Sequence, residues 1–304
     1  MGRYPANLSV LVLVMASIAC GGQMNKKPPV MSAADALALP RPEPDEVISY
    51  GDEALQFGEL RLPSGEGPHP VVVVLHGGCW LAEYDLGYIS GLAAALTQNG
   101  VATWSIEYRR VGNDGGGWPG TFEDVAAATD FLRVIASDHD LDLERVVTLG
   151  HSAGGHLALW LAGRRWLDID DGLRGEGPLR IGGVVSLAGI PDLAAYASTT
   201  GCGAAVSQLL DGEPTEVPER VGRTSPIELL PLGIPLILVI GEHDTIVPAS
   251  QAQSYQQAAR RMGDDVEIRE VGGAGHFELV DMEQAAFDVV RDAVTEVVSA
   301  ANQF

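Results

Sequence analysis

The chain has 304 residues, of which 46% are hydrophobic and 20% are charged. This composition is typical of a globular protein with a core of its own, and it excludes a disordered or fibrous chain. Its net charge of −22 repels phosphate backbones and anionic membranes, so we expect no nucleic-acid partner. The only lysines are Lys26 and Lys27, which excludes a P-loop or a pyridoxal-phosphate enzyme in the domain that follows them.

An apolar run near the N-terminus predicts an export signal. The run extends from Leu8 to Ala19 behind Arg3. It is too short for a bilayer, which needs about 20 residues, and small residues at its end suit a cleavage site. Residues 1–19 are therefore predicted to be a signal peptide. We expect export from a bacterial cytoplasm, to the periplasm, the outer surface or the medium.

The end of this run resembles a bacterial lipobox. It reads Ser17-Ile18-Ala19-Cys20-Gly21-Gly22, although Ser17 stands where the lipobox prefers leucine. The resemblance implies that Cys20 carries a lipid, and the alternative is an ordinary cleaved signal with an incidental cysteine. Residues 20–45 are rich in proline and are predicted to be an extended tether. A lipid on Cys20 would be the only link to a membrane.

Alternating β-like and helix-like segments predict a single α/β domain over residues 46–304, with a mostly parallel sheet flanked by helices. A continuous apolar run such as Pro70–Leu75 is typical of a strand buried on both faces. Residues 190–230 break the alternation and are predicted to be a small insertion, with two short helices, over the sheet. The other predicted strands are Val47–Tyr50, Leu55–Leu62, Val101–Tyr108, Arg145–Leu149, Ile181–Leu187, Pro235–Ile240 and Val266–Val271, and the predicted helices are Tyr88–Gln98, Phe122–Ala136, Ala153–Leu161, Ala249–Met262 and Glu283–Ala300.

The strongest motif is Gly150-His151-Ser152-Ala153-Gly154, which matches G-x-S-x-G. A predicted strand enters the motif and a predicted helix leaves it, as a nucleophile elbow requires. The sharp turn needs small neighbours, and it exposes the Ser152 hydroxyl at a helix N-terminus, where N–H groups favour negative charge. We therefore predict that Ser152 is a nucleophile; the alternative is a chance match to a short pattern.

A serine nucleophile needs a base, and the base needs an acid that orients it. Beyond the adjacent helix, the histidines that follow Ser152 are His243 and His276. His276 lies in a glycine-rich loop after the last strand, and Asp244 follows another strand. This gives the order serine, acid, histidine that is expected for such an elbow. The triad is predicted to be Ser152, Asp244 and His276. Taken singly, His276 could be a loop histidine and Asp244 a helix N-cap.

A third loop, His76-Gly77-Gly78-Cys79-Trp80, follows the Pro70–Leu75 strand. Acyl transfer needs N–H donors aimed at the oxyanion, and glycines let a backbone approach closely. The H-G-G-G motif has this role beside nucleophile elbows. Cys79 replaces the third glycine, which an N–H donor tolerates. We predict an oxyanion hole formed by Gly78, Cys79 and Ala153; an ordinary turn and a Cys79 nucleophile are weaker alternatives.

Some residues near these loops allow two interpretations. Trp80, Tyr84 and Trp118 could line a substrate pocket or pack under loops. In an exported protein Cys79 and Cys202 could form a disulfide, but the sequence does not give the distance between them. The acidic run that starts at Asp168 lacks the glutamate that ends a calcium loop, and no zinc spacing occurs. We therefore predict no metal and no cofactor.

These motifs resemble the α/β-hydrolase superfamily over residues 46–304. H-G-G-x-W together with G-H-S-A-G-G resembles the esterase branch that holds carboxylesterases, kynurenine formamidases and feruloyl-esterase-like enzymes. The stretch from Ser225 to Pro248 is also similar to the catalytic domain of prolyl-oligopeptidase-type peptidases. The resemblance implies the same triad. It leaves the substrate open.

The expected reaction is hydrolysis of small carboxylic esters through an acyl-enzyme. An arylformamidase is the first alternative, favoured by H-G-G-x-W but disfavoured by export. A peptidase is the second, although relatives of that type usually carry a large N-terminal propeller. A binding protein that has lost activity is the third, and the intact order of the motifs argues against it.

Overall fold

The computed structural model describes residues 1–2 and 30–301. The predicted signal peptide and the lipobox cysteine, Cys20, lie outside this part, apart from the first two residues. No helix among the described residues is long and apolar enough to span a membrane. The same residues contain no cluster of three or more His, Cys, Asp or Glu side chains that could hold a metal ion.

Eight strands form one sheet within the described part of the chain, in the order β1-β2-β4-β3-β5-β6-β7-β8. β1 and β2 pair antiparallel, and β2 pairs antiparallel with β4. Every pairing from β4 to β8 is parallel, as the sequence predicts. The strands are β1 (Glu46–Ser49), β2 (Phe57–Arg61), β3 (His69–Leu75), β4 (Ala102–Ile106), β5 (Leu141–His151), β6 (Gly183–Leu187), β7 (Leu236–Gly241) and β8 (Glu267–Val271).

Strand β3 explains why the sheet is covered on both faces. Val71, Val73 and Leu75 belong to one apolar cluster, and Val72 and Val74 belong to the cluster on the other face. Side chains alternate along a strand, so a continuous valine run must be buried on both sides. Helices supply both layers. They are α1 (Ala33–Leu37), α2 (Ser90–Gln98), α3 (Gly120–Asp130), α4 (Leu132–Ile135), α5 (Ala153–Gly163), α6 (Leu193–Tyr196), α7 (Gly203–Leu210), α8 (Pro218–Thr224), α9 (Ser250–Arg261) and α10 (Ala286–Ala300).

The insertion at 190–230 holds three short α-helices, α6 to α8, where the sequence predicts two. It is tied to the body of the domain by buried polar contacts. Tyr196 donates its hydroxyl hydrogen to the carbonyl of Ile246 at 3.0 Å, and His156 on α5 bonds the carbonyl of Thr224 at 2.9 Å. The insertion therefore packs beside the carboxyl ends of β6 and β7, where it can reach the predicted site.

The second half of the predicted tether differs from the prediction. Residues 30–45 lie on the domain, and α1 begins with a capping box in which Ser32 and Asp35 satisfy each other's backbone N–H groups. Ala36 is only 2% exposed, and Arg61 donates to the carbonyl of Pro42 at 2.7 Å. The proline-rich composition gives no signal for these contacts. The segment is held by tertiary interactions, and it has no apolar pattern of its own that would predict them.

Candidate active site

Ser152 stands at the sharpest backbone turn of the predicted site. It connects β5 directly to α5, with φ of 57° and ψ of −120°, a strained combination for a residue with a side chain. A Cβ at Gly150 would collide with the carbonyl of Gly154, and one at Gly154 with the carbonyl of Leu75. Both glycines of the motif are therefore required by close backbone contact, and the turn lifts the Ser152 hydroxyl to the N-terminus of α5.

The structure pairs Asp244 with His276 and not with the neighbouring His243. Nδ1 of His276 lies 2.7 Å from Oδ2 of Asp244, and both side chains are less than 5% exposed. Oδ1 of Asp244 accepts the N–H groups of Ile246 and Val247 at 2.8 and 2.9 Å. A carboxylate only accepts, so Nδ1 carries the hydrogen and Nε2 of a neutral His276 keeps its lone pair.

Ser152 and His276 line the same cavity. The cavity has a volume of about 110 Å³ and a mostly apolar wall. No hydrogen bond joins the Ser152 hydroxyl to the His276 ring among the described side chains, and such bonds often tighten only when substrate binds. The pair thus meets at the carboxyl edge of the sheet, where α/β folds build their sites.

The loop after β3 brings two of the predicted oxyanion donors, Gly78 and Cys79, to the cavity wall. Cys79 has a φ of 55°, in the left-handed region that residues with a side chain rarely adopt. Its Sγ is bonded to Sγ of Cys202 in the insertion, with Cα atoms 5.4 Å apart. The third predicted donor, Ala153, is the first residue of α5 and has a helix-terminal N–H. None of these three N–H groups donates a hydrogen bond to an acceptor in the described part of the chain.

Buried charges support this loop from below. Glu107 bonds Nε2 of His76 at 3.1 Å and pairs with Arg110, and the Tyr108 hydroxyl donates to the His76 carbonyl at 2.8 Å. Burial alone would raise the pKa of Glu107, but His76 and Arg110 outweigh it and hold that pKa below its ordinary value. An ionised Glu107 therefore fixes the base of the loop.

A second buried network connects all three loops. Nε2 of His151 lies 3.0 Å from the carbonyl oxygen of His276, and Nδ1 lies 3.0 Å from the Tyr88 hydroxyl. A carbonyl only accepts, so Nε2 donates and Nδ1 accepts from Tyr88. The same hydroxyl accepts the N–H of Gly77 at 2.6 Å. Burial, followed by the neighbouring His276, lowers the pKa of His151 far below its ordinary value, so the ring stays neutral.

Comparison with known proteins supplies the family. The BD-FAE family model matches residues 59–258, a span that includes the elbow, Asp244 and the loop after β3. The chain belongs to the BD-FAE family. Kynurenine formamidase of Danio rerio is 22% identical to this BD-FAE protein over 244 residues, which are 77% of this chain and 75% of the formamidase. Esterase LipC of Mycobacterium tuberculosis is 28% identical over 251 residues, 77% of this chain, and the match spans only 60% of LipC.

Solved structures show the same fold. A truncated carbohydrate esterase from gut microbiota superposes with a TM-score of 0.71 and 24% identity, covering 83% of this chain and 95% of that one. Esterase B from Lactobacillus rhamnosis superposes with a TM-score of 0.73 and 18% identity, covering 87% and 89%. The BD-FAE protein therefore has the α/β-hydrolase fold, and its relatives support ester hydrolysis as the general class of activity.

Two of the three aromatic residues predicted for the pocket lie elsewhere. Trp80 is fully buried and donates its indole hydrogen to Nδ1 of His156 at 3.1 Å. Trp118 packs under Arg220 and Arg223, whose guanidinium carbons lie 5.3 and 4.9 Å from its ring centre. Only Tyr84 lines the cavity. In this BD-FAE chain Trp80 therefore packs in the core, whereas Trp118 packs against two arginine side chains and stays partly exposed.

Several lining residues of the cavity are absent from the sequence prediction. The x position of G-x-S-x-G, His151, faces the cavity, as do Tyr88, Ile246 and Phe277. For His151 and Phe277 a signal exists, since each is adjacent to a predicted triad residue. The remaining wall comes from α1, and nothing in its sequence distinguishes it from a linker.

Proposed function

We propose that this BD-FAE protein hydrolyses carboxylic esters with Ser152 as nucleophile, His276 as base and Asp244 as the acid that orients it. The observation that carries the proposal is the buried 2.7 Å bond between Asp244 and His276. It sets the hydrogen on Nδ1 and leaves Nε2 free toward the cavity that Ser152 shares. A histidine that served only for packing would not need a buried carboxylate on one nitrogen and an open site at the other.

Acylation begins when Nε2 of His276 takes the Ser152 proton and Oγ bonds to the ester carbonyl carbon. The carbonyl electrons move to its oxygen, which the N–H groups of Gly78, Cys79 and Ala153 stabilise. One such donor is typically worth about 3 kcal/mol in the transition state. The bond to the alcohol oxygen then breaks, and His276 returns the proton to the departing alcohol.

Deacylation repeats the cycle with water. His276 takes a proton from water as its oxygen bonds to the acyl carbon, and the Ser152 oxygen leaves with the proton that His276 holds. Asp244 remains ionised and stabilises the imidazolium in both half-reactions. In both half-reactions every proton moves between His276 and an oxygen atom in the cavity. These steps therefore need no other titrating group.

Hydrolysis of a formyl amide is the second candidate. It is favoured by the similarity to kynurenine formamidase, which covers 75% of that enzyme. The same serine, base and oxyanion donors would cleave an amide in which the acyl group is a formyl. An ester loses an alcohol oxygen and a formyl amide loses an amine nitrogen, so a direct comparison of the two substrates separates these activities.

We also propose that the protein works outside the cytoplasm. The support is the disulfide between Cys79 and Cys202, since such bonds persist in oxidising compartments. Because Cys79 belongs to the predicted oxyanion loop, the disulfide also fixes this loop to the insertion.

The deciding experiment compares p-nitrophenyl acetate, p-nitrophenyl octanoate and N-formylkynurenine as substrates of the purified chain and its Ser152→Ala variant. Ester turnover that falls by about 10⁶ in the variant supports the proposal, since that is the scale of serine removal in a comparable triad. Faster cleavage of N-formylkynurenine assigns the formamidase activity. Equal ester turnover by both proteins refutes the serine mechanism.

A further inference from the structure

The N-terminal segment, residues 30–39, forms part of the wall of the cavity that Ser152 also lines. Ala33, Ala36 and Leu37 line the cavity together with Ser152 and His276. Positions i, i+3 and i+4 share one helix face, so these three side chains lie on the same side of α1, where Ala36 is buried and Leu37 is 39% exposed. Ala34 and Ala38 lie on the other side of α1 and are exposed.

The segment is fixed at its beginning through the loop that carries His276. The N–H of Met31 donates to Oε1 of Glu278, and the N–H of Gly275 donates to Oε2 of the same carboxylate at 2.8 Å. Glu278 is only 8% exposed. One buried carboxylate therefore joins the segment to the residue before His276. The contact of Val30 with Gly275 leaves no room for a side chain at that glycine.

The segment is also fixed at its end. Leu39 packs against the apolar cluster that contains Tyr88 and Leu92, and Arg41 pairs with Asp85 at 3.3 Å. Anchors on both sides of α1 hold its inner face in place. The wall is therefore a built part of the site and not a passing contact of a loose terminus.

The volume of the cavity, which is partly open to solvent, limits the substrate group that it covers. The cavity measures about 110 Å³, whereas an engineered apolar cavity of about 150 Å³ binds benzene. The wall contributed by α1 is mostly methyl groups, with no polar side chain. A substrate group of a few carbon atoms fills this volume, and a long chain extends beyond it.

We propose that segment 30–39 is a specificity-determining wall, which limits the substrate group beside the scissile carbonyl to a short apolar one. The inference rests on the proposed function and narrows it to esters with a small group in this cavity. Ala36 is the residue that decides it, because it is the most buried of the three lining side chains on α1. A larger residue there would shorten the cavity directly.

The test measures kcat/KM of the full chain for two series of esters. The first varies the acyl group from acetate to butyrate to octanoate on p-nitrophenol; the second keeps acetate and varies the alcohol. Ala36→Leu adds three carbon atoms to the cavity wall, Ala36→Gly removes one, and Ala34→Leu adds the same three carbons on the exposed face. In a hydrophobic pocket one methylene changes discrimination by about 10- to 200-fold.

We expect Ala36→Leu to raise the preference for the smallest member of one series at least ~10-fold, Ala36→Gly to lower it, and Ala34→Leu to change it less than ~2-fold. A preference that falls in Ala36→Leu would contradict the inference, since a larger side chain in this wall is expected to shorten the cavity. Equal size preferences in all four proteins would overturn the inference.

A labelling experiment separates this result from failure of the proposed function. Methyl and octyl p-nitrophenyl phosphonates bond to an active serine and add a defined mass, so they report access to Ser152 without turnover. If ester hydrolysis or labelling is lost in Ser152→Ala, but substitutions of Ala36 do not change the size preference, the proposed function stands and only the inference about the wall is overturned. Absence of both hydrolysis and labelling in the unmodified chain overturns the proposed function and the wall together.

Discussion

His151 and His276 are connected by a hydrogen bond that fixes the backbone of one to the ring of the other. Nε2 of His151 donates to the carbonyl of His276 at 3.0 Å, and the ring centres are 4.6 Å apart. The residue before Ser152 therefore holds the loop that carries His276. Because Tyr88 and Gly77 complete the same chain of hydrogen bonds, the loop after β3 is held by it as well.

Replacement of His151 is expected to loosen this arrangement. His151→Leu leaves the His276 carbonyl without its donor and the Tyr88 hydroxyl hydrogen without its acceptor, while Tyr88 still accepts the N–H of Gly77; two lost buried partners cost about 2–6 kcal/mol at most. A shift of about 1 Å in His276 can lower kcat by about 100-fold. Urea unfolding and steady-state kinetics measure the two effects.

Two amide variants separate the bonds of His151. Glutamine places its N–H₂ near the Nε2 position and can still donate to the His276 carbonyl, whereas asparagine reaches only the Nδ1 position near Tyr88. We expect His151→Gln to keep more of kcat than His151→Asn, with similar KM values. The reverse order would show that the bond to Tyr88 matters more than the bond to His276.

Asp244→Asn is expected to lower kcat by about 10⁴, the effect of the same change in a comparable triad. The amide keeps the shape but can present N–H₂ to Nδ1, which then accepts and moves the hydrogen to Nε2. The hydrogen bonds from Ile246 and Val247 to the other oxygen are retained, so the unfolding midpoint should change little. A folded variant with an unchanged kcat would contradict the proposed role of Asp244.

Reduction of the disulfide between Cys79 and Cys202 is expected to weaken both stability and activity. The bond joins residues 123 positions apart, and removal of a native disulfide typically costs about 2–5 kcal/mol. It also frees the Cys79 backbone, whose N–H is a proposed oxyanion donor. Kinetics and thermal unfolding with and without dithiothreitol measure the effect. The control is the Cys79→Ser, Cys202→Ser double variant, in which dithiothreitol should change nothing.

His156 should make stability fall at acid pH. Burial lowers the pKa of His156 from 6.5 to about 4. Between these values the unfolded chain holds a proton at His156 that the folded chain lacks, so stability decreases as the pH falls through this window. The slope is at most about 1.4 kcal/mol per pH unit for one proton. Urea unfolding between pH 7.5 and 4.5 measures it.

The comparison for this slope is His156→Gln, which keeps a donor for the carbonyl of Thr224 but does not titrate. We expect a flatter dependence of unfolding free energy on pH in the variant, by up to one proton. Parallel curves for the two proteins would show that His156 takes up its proton in the folded state near the ordinary pKa.

Patterns in the amino-acid sequence predict the parallel sheet and the chain order of the candidate site residues. The valine run of β3 requires burial on both faces, and the close backbone contacts of Gly150 and Gly154 follow from the motif that contains Ser152. Chain order then places Asp244 and His276 at the carboxyl ends of parallel strands. These features are local or periodic, so each is visible in a short stretch of residues. The hydrogen bond between Asp244 and His276 is consistent with the predicted order of serine, acid and histidine.

The surroundings of Ser152 become visible only in the folded chain. Trp80 turns into the core while Tyr88 and His151 face the cavity, because side-chain direction in these loops depends on packing between distant segments. The docking of α1 through Met31 and Glu278, 247 positions apart, has no periodic signal in a proline-rich stretch. The bond between Cys79 and Cys202 likewise depended on a distance that only the folded chain sets.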